Sequence, residues 1–246
     1  MKKRFGYKIL NYDTKLFGYK VASVELFEKN SRIDFKLIHS NLEKDSIKLA
    51  YFFVSPNDNK NKNLIRKSGG ILVDEKVTYQ KRINPKILSE KRTGYHIVSY
   101  LNHLPTKKLY KLAYDAGVYS RFKVDTSFCD DEYKLLYSEW LEKSLSGKIA
   151  EDVFVCVKNG REVGFITVGK KMNRFIIGLI AVGPNYRKVG IGRRLISRVC
   201  AYVLQKGGTD IEVTTQNGNK GACLFYESVG FKKESQIDVY HLWLTK

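Results

Sequence analysis

Cysteine is scarce and scattered. The 246 residues hold four, Cys129, Cys156, Cys200 and Cys223, and none pairs as CxxC or clusters with the four histidines. That spacing argues against a zinc site, so no metal is expected. Each cysteine is expected to be a small buried apolar residue. Long apolar runs are missing too: none approaches the ~20 residues of a membrane span. The start, Met1-Lys2-Lys3-Arg4, is basic, but no apolar signal segment follows it. A cytoplasmic location and no membrane partner are therefore expected. Acidic residues are outnumbered, 25 Asp+Glu against 44 Lys+Arg, for a net charge of +19. Such a balance permits anionic ligands without singling one out. The excess is spread along the whole chain rather than gathered in a tail or stripe, so nucleic acid is not the expected partner.

What is present is a globular composition, 43% hydrophobic with 16 Tyr and 13 Phe. The length allows one large domain or two small ones, with a core that needs no disulfide. Strand and helix signals alternate in the first third. Tyr19–Phe27 spaces like a strand, Arg32–Lys44 like a helix, and Lys48–Val54 like a buried strand stopped by Pro56. Asn61–Gly70 follows as a short helix ended by glycines, and Ile71–Ile83 as a further strand. From Asn84 to Thr106 the pattern weakens, punctuated by Pro85, Gly94 and Pro105. A boundary there gives an N-terminal α/β domain over 1–95 and a second domain over 96–246. Thr106–Gly117 and Asp130–Gly147 are expected as helices, each closed by a glycine. Asn159-Gly160 between two alternating runs predicts a hairpin. No internal repeat and no low-complexity segment is visible.

The informative stretch is Asn185–Leu195, NYRKVGIGRRL, between a strand-like run and an amphipathic one. Ile191, Leu195, Ile196, Val199, Cys200 and Val203 fall at helical spacing, which puts Gly190 and Gly192 at a helix start. The first amide groups of a helix lack intrahelical partners, and their dipoles sum to about half a positive charge. Glycine removes the Cβ atoms that keep an anion away. With Arg187, Lys188 and Arg193 beside them, these amides suit a diphosphate. A tight strand-to-helix turn with a solvated basic face explains the same residues. The stretch is neither a P-loop nor a Rossmann fingerprint, since GxxxxGK[ST] and the third glycine are missing.

The wider context resembles the GNAT acyltransferase superfamily. Its pattern is matched by Val182, Pro184, Arg187, Gly190, Gly192, Asn219, Tyr226, Gly230 and Phe231, with Gly183 as one departure. The resemblance covers about 106–246 and implies an α+β GNAT fold, a mixed, mainly antiparallel sheet flanked by helices, with a smaller N-terminal α/β domain. A narrower stretch is similar to TDP-fucosamine acetyltransferase and its relatives. It is carried by Ala116–Asp125, TTQNGNKGACLFY, and Tyr12-Asp13-Thr14-Lys15-Leu16-Phe17-Gly18, where relatives often have Trp first and Phe in place of Leu16.

The resemblance implies transfer of an acetyl group from acetyl-CoA to the amine of a nucleotide-linked amino-deoxy sugar, in a ternary complex. The same resemblance implies a place in cell-surface polysaccharide biosynthesis. Backbone groups of Ile180, Ala181 and Val182 are then expected beside the pantetheine arm, where the strand splays from Ile211–Thr215. The segment Arg187, Lys188, Val189, Gly190, Ile191, Gly192 and Arg193 is expected to hold the diphosphate, with Asn219 and Ala222 also facing the coenzyme. Asn219 is in the first place a helix cap. Tyr226, seven residues on, shares its helix face and is expected to protonate the leaving thiolate; spacing alone equally allows a core tyrosine. Tyr119, Ser120, Arg121 and Phe122 match the narrower family's loop and are expected to hold the nucleotide, or else to pack a helix to a loop. His96, His103 and His241 lie in no recognisable motif, so no general base is assigned. A covalent route through Cys223 lacks an adjacent base. A protein or peptide N-acetyltransferase, and a non-catalytic binding module for CoA or nucleic acid, remain as alternatives. A homodimer rests on family analogy alone.

Overall fold

The computed structural model describes residues 5–26, 35–84 and 94–244. The basic start, Phe27, 32–34 and Pro85 lie outside them. The chain divides into two compact units. One takes Met1–Val77, Gln216–Gly218 and Gln236–Lys246, the other Thr78–Thr215 and Asn219–Ser235.

The first unit contains β1 Phe5–Ile9, α1 Asn11–Phe17, β2 Val21–Leu26, α2 Phe35–Lys44, β3 Leu49–Val54, α3 Asn59–Lys67 and the beginning of β4 Ile71–Arg82. The end of β10 Lys232–Trp243 belongs to it as well. Its strand order is β1-β2-β3-β10-β4. β2 and β3 run parallel from Val21 opposite Leu49 to Val24 opposite Phe52. β3 and β10 run antiparallel, from Val54 opposite Asp238 to Leu49 opposite Trp243. Alternate strand residues Ala22, Val24, Ala50, Phe52, Tyr240 and Leu242 meet Ile38 and Leu42 of α2 and Ile65 of α3 in one apolar core. Periods of two in the strands and of three to four in the helices put these residues on facing surfaces.

The second unit adds β5 His96–Ser99, α4 Lys107–Ala116, α5 Arg121–Val124, α6 Asp130–Leu145, β6 Asp152–Lys158, β7 Arg161–Lys171, β8 Arg174–Val182, α7 Ile191–Gln205, β9 Asp210–Gln216 and α8 Lys220–Ser228. Its strand order is β4-β9-β8-β7-β6-β5. β5 to β8 pair antiparallel and β8 pairs parallel with β9. Val163–Val168 of β7 are all buried, the mark of a strand covered on both faces, and α4 and α7 both pack on it. The hairpin at Asn159-Gly160 is present, with φ of 48° and 72° joining β6 to β7.

One expectation is corrected. Cys129 is exposed, because it stands just before α6 and its N–H donates to Glu132 Oε2 at 2.8 Å; the other three cysteines are buried. The weakly patterned stretch 84–106 contains β5, a four-residue strand with exposed His96 and Val98, too short for alternation to show. The order of elements also repeats: β2-α2-β3-α3-β4 and then β8-α7-β9-α8-β10.

Candidate active site

The site is built where β8 loses one of its neighbours. β7 and β8 are in register up to Val168 opposite Ile177 and again from Ile166 opposite Ile180. Gly178 and Leu179 of β8 therefore face Thr167 alone, a β-bulge. The Thr167 hydroxyl takes the ladder's place by accepting from Leu179 N at 2.8 Å. A Cβ at Gly178 would stand 2.9 Å from that same oxygen, so any other residue there has to displace the Thr167 hydroxyl. A bulge bends its strand and ends pairing. The parallel pairing of β8 with β9 covers only Phe175–Ile177 against Ile211–Val213. Ile180, Ala181 and Val182 stay bonded to β7 but have no register partner in β9.

After β8 a 3-10 turn, Pro184–Tyr186, leads to α7. Arg187 Nε donates to the Val182 carbonyl at 3.0 Å, which folds the loop back on the strand end. Lys188 and Gly190 both have positive φ, 62° and 89°. Gly190 is the N-cap of α7 and supplies no side-chain cap. The amides of Ile191, Gly192 and Arg193 thus head the helix without a capping side chain, flanked by exposed Lys188 and Val189. The buried residues of α7 are Ile191, Leu195, Ile196, Val199, Cys200 and Val203, the set predicted by spacing.

α7 and α8 meet closely at this end. A Cβ on Gly192 would come within 3.0 Å of the Phe225 ring. Arg193 Nη2 reaches the Ser228 carbonyl at 3.4 Å. Asn219 caps α8, its Oδ1 accepting from Ala222 N at 3.1 Å. Tyr226 is 4% exposed, with Phe231 edge-on at 5.6 Å and Tyr79 of β4 tilted at 6.0 Å. Burial, and then the neighbouring Cys223, raise its hydroxyl pKa above the ordinary phenol range. The structure thus joins the end of β8 to the head of α7 through Arg187, and the head of α7 to α8 at Phe225 and Ser228. Sequence reasoning missed Tyr79 and Glu227. The alternation of β4 marks Tyr79 as inward-facing, but nothing local tells which helix it meets.

Tyr119–Phe122 form a separate cluster around α5, which packs on α6. Tyr119 is exposed, whereas Ser120 is buried as the N-cap of α5. The Arg121 guanidinium lies 4.7 Å over the Phe122 ring, and Phe122 is buried edge-on against Phe128 and Trp140. Phe122 therefore packs a helix to a loop, and only Tyr119 and Arg121 offer surface. His241 is buried in the first unit, stacked on Tyr51, and His103 stacks on Tyr100. Among the described residues no group of three His, Cys, Asp or Glu side chains comes together as a metal site, and no helix is long and apolar enough to cross a membrane.

The fold is that of the GNAT acetyltransferases. Residues 117–231 match the model of the Acetyltransferase (GNAT) family. A GCN5-related N-acetyltransferase from Sphaerobacter thermophilus has the same fold, with a TM-score of 0.67 over 99% of this chain and 78% of that one, at 13% identity. By sequence the chain is similar to the spore coat polysaccharide biosynthesis protein SpsD of Bacillus subtilis strain 168. The two are 27% identical over 142 residues, 56% of this chain and 47% of SpsD. It is also similar to an uncharacterized N-acetyltransferase of Methanocaldococcus jannaschii, 31% identical over 111 residues, 42% of this chain and 49% of that protein. The aligned segments span about half the length of these curated relatives.

Proposed function

We propose that the protein is an acyl-CoA-dependent N-acetyltransferase acting on the amine of a nucleotide-linked amino-deoxy sugar. The observation that carries this reading is the open edge of β8 beyond Ile177, next to a helix head that no side chain caps. An open strand edge offers N–H and C=O groups to an extended amide-bearing arm, and a free helix head offers N–H groups to a diphosphate. Acetyl-CoA carries both groups in one molecule. The residues fit it: Ile180–Val182 take the pantetheine, 187–193 the diphosphate, and Asn219 and Ala222 the arm between them.

In the transfer, the amine nitrogen bonds the thioester carbon and the carbon–sulfur bond breaks. An amide of the Val182 region stabilises charge on the carbonyl oxygen. Tyr226 donates its proton to the departing sulfur, and the nitrogen loses one to solvent. A phenol whose pKa lies above its usual range is fully protonated at neutral pH, the state an acid needs. In this reading Tyr119, which is exposed, stacks on a nucleobase and Arg121 pairs with phosphates. The sugar substrate draws support from their loop sequence and from SpsD, whose name assigns it to spore coat polysaccharide biosynthesis.

The test is acetyl transfer from acetyl-CoA to a panel of TDP- and UDP-linked amino sugars, set against N-terminal peptides. Turnover on a nucleotide sugar that falls about 100-fold or more in Tyr226→Phe, with coenzyme affinity kept, is the expected result. Turnover on peptides alone overturns the substrate; an unchanged rate in Tyr226→Phe removes the acid.

A further inference from the structure

Tyr79 and Lys81 are two residues apart on β4 and point to the same side of the strand. Both reach the last turn of α8. The Tyr79 hydroxyl donates to Glu227 Oε1 at 3.0 Å, and Lys81 Nζ donates to the Val229 carbonyl at 2.5 Å. Lys81 also stands 5.9 Å over the ring of Phe231. Tyr226 directly precedes the first of the tethered residues, and its ring is 6.0 Å from that of Tyr79. Tyr79 is itself 3% exposed while Glu227 is exposed, so the hydrogen bond that joins them is part-buried and charge-assisted. Burial, then hydrogen bonds with Cys223 and Glu227, raise its pKa, and the hydroxyl remains a donor at neutral pH. One side chain therefore touches the ring of Tyr226 and ties down the residue that follows it.

We propose that Tyr79 is a positioning residue for Tyr226: its ring supports the Tyr226 ring, and its hydroxyl, through Glu227, fixes the turn of α8 that aims the acid. The inference rests on the acid role of Tyr226 proposed above. Small misplacements of a donor cost rate before they cost binding.

The test is a double-mutant cycle in the full chain, with kcat and KM for acetyl-CoA measured for Tyr79→Phe, Tyr226→Phe and the pair. Tyr79→Phe keeps the ring and removes only the hydroxyl. The expected result is a loss of about tenfold in kcat with KM within about twofold, and less than about a twofold further loss in the Tyr226→Phe background. Glu227→Gln, which still offers an acceptor, retains kcat, whereas Glu227→Ala reproduces Tyr79→Phe. An equal loss in both backgrounds, a change confined to KM, or no loss at all overturns the proposal. If Tyr226→Phe lowers kcat but the two variants do not couple, only this inference fails. If Tyr226→Phe has no effect, the acid reading falls and this one falls with it.

Discussion

The two β-α-β-α-β runs share a frame and differ in what they leave unsatisfied. In the first, Asp58 caps α3 by accepting from Asn61 N at 3.1 Å; in the second, Asn219 caps α8 by accepting from Ala222 N at the same distance. Eleven residues after each cap the chain turns on a left-handed glycine, Gly69 with φ 89° and Gly230 with φ 88°. Seven residues after each cap stands a buried residue, Ile65 in one and Tyr226 in the other. The strands differ as well. β2 pairs with β1 without a register shift and keeps β3 beside it from Val21 to Val24. β8 is bulged at Gly178-Leu179 and has no pairing with β9 beyond Ile177. The segment before α2, FEKNSRID, has no glycine, whereas the one before α7 has Gly190 at a left-handed turn. One frame thus serves two ends. Where strand pairing is regular and the helix position is aliphatic, the run makes core; where a bulge opens the edge and a phenol stands in the aliphatic's place, it makes the proposed site.

The comparison is broken most sharply at its central pair. Ile65→Ala is expected to cost about 2–4 kcal/mol of stability by leaving a cavity, with kcat of the folded protein unchanged, as read by denaturant unfolding and steady-state assay. Tyr226→Phe is expected to do the reverse, leaving the unfolding midpoint in place while kcat falls. Gly190→Ala comes next. Its positive φ makes any side chain costly, by about 1–2 kcal/mol, and the variant also weakens coenzyme binding because the added methyl crowds the helix head. The caps sharpen the contrast further. Asp58→Ala and Asn219→Ala each remove one bond to a helix amide and should each cost about 1 kcal/mol, but only Asn219→Ala raises KM for acetyl-CoA. The smallest effect is on pH dependence. Because burial raises the Tyr226 pKa, the protonated acid persists as pH rises, and the rate shows no descending limb owed to it below about pH 10. A limb near neutral pH that disappears in Tyr226→Phe contradicts this.

Much of the frame was legible because it is local. The apolar spacing of Ile191 to Val203 gave the buried face of α7, Asn159-Gly160 gave the β6–β7 turn, and Ser68-Gly69-Gly70 ended α3. The left-handed conformation of the β7–β8 turn was not legible: Met172 and Asn173 adopt φ of 46° and 63° where no glycine stands. β10 escaped as well. Its partner β3 lies almost two hundred positions earlier, and charged residues crowd its beginning. The repeat of the two runs left no trace in sequence, since Asp58 matches Asn219 and Ile65 matches Tyr226 only in position and cap geometry. In the site, Gly190, Gly192, Asn219 and Tyr226 stood out through spacing and resemblance. The bulge and the Tyr79 tether did not, because each depends on which strand lies alongside.

The most direct measurement is a calorimetric titration of the folded chain with coenzyme A. The account predicts one binding site per chain, in the second run, with the heat lost when Gly192→Val drives a side chain into Phe225 at the head of α7 and retained in Ile65→Val. Absence of heat from the folded protein, or two equivalent sites per chain, would contradict it.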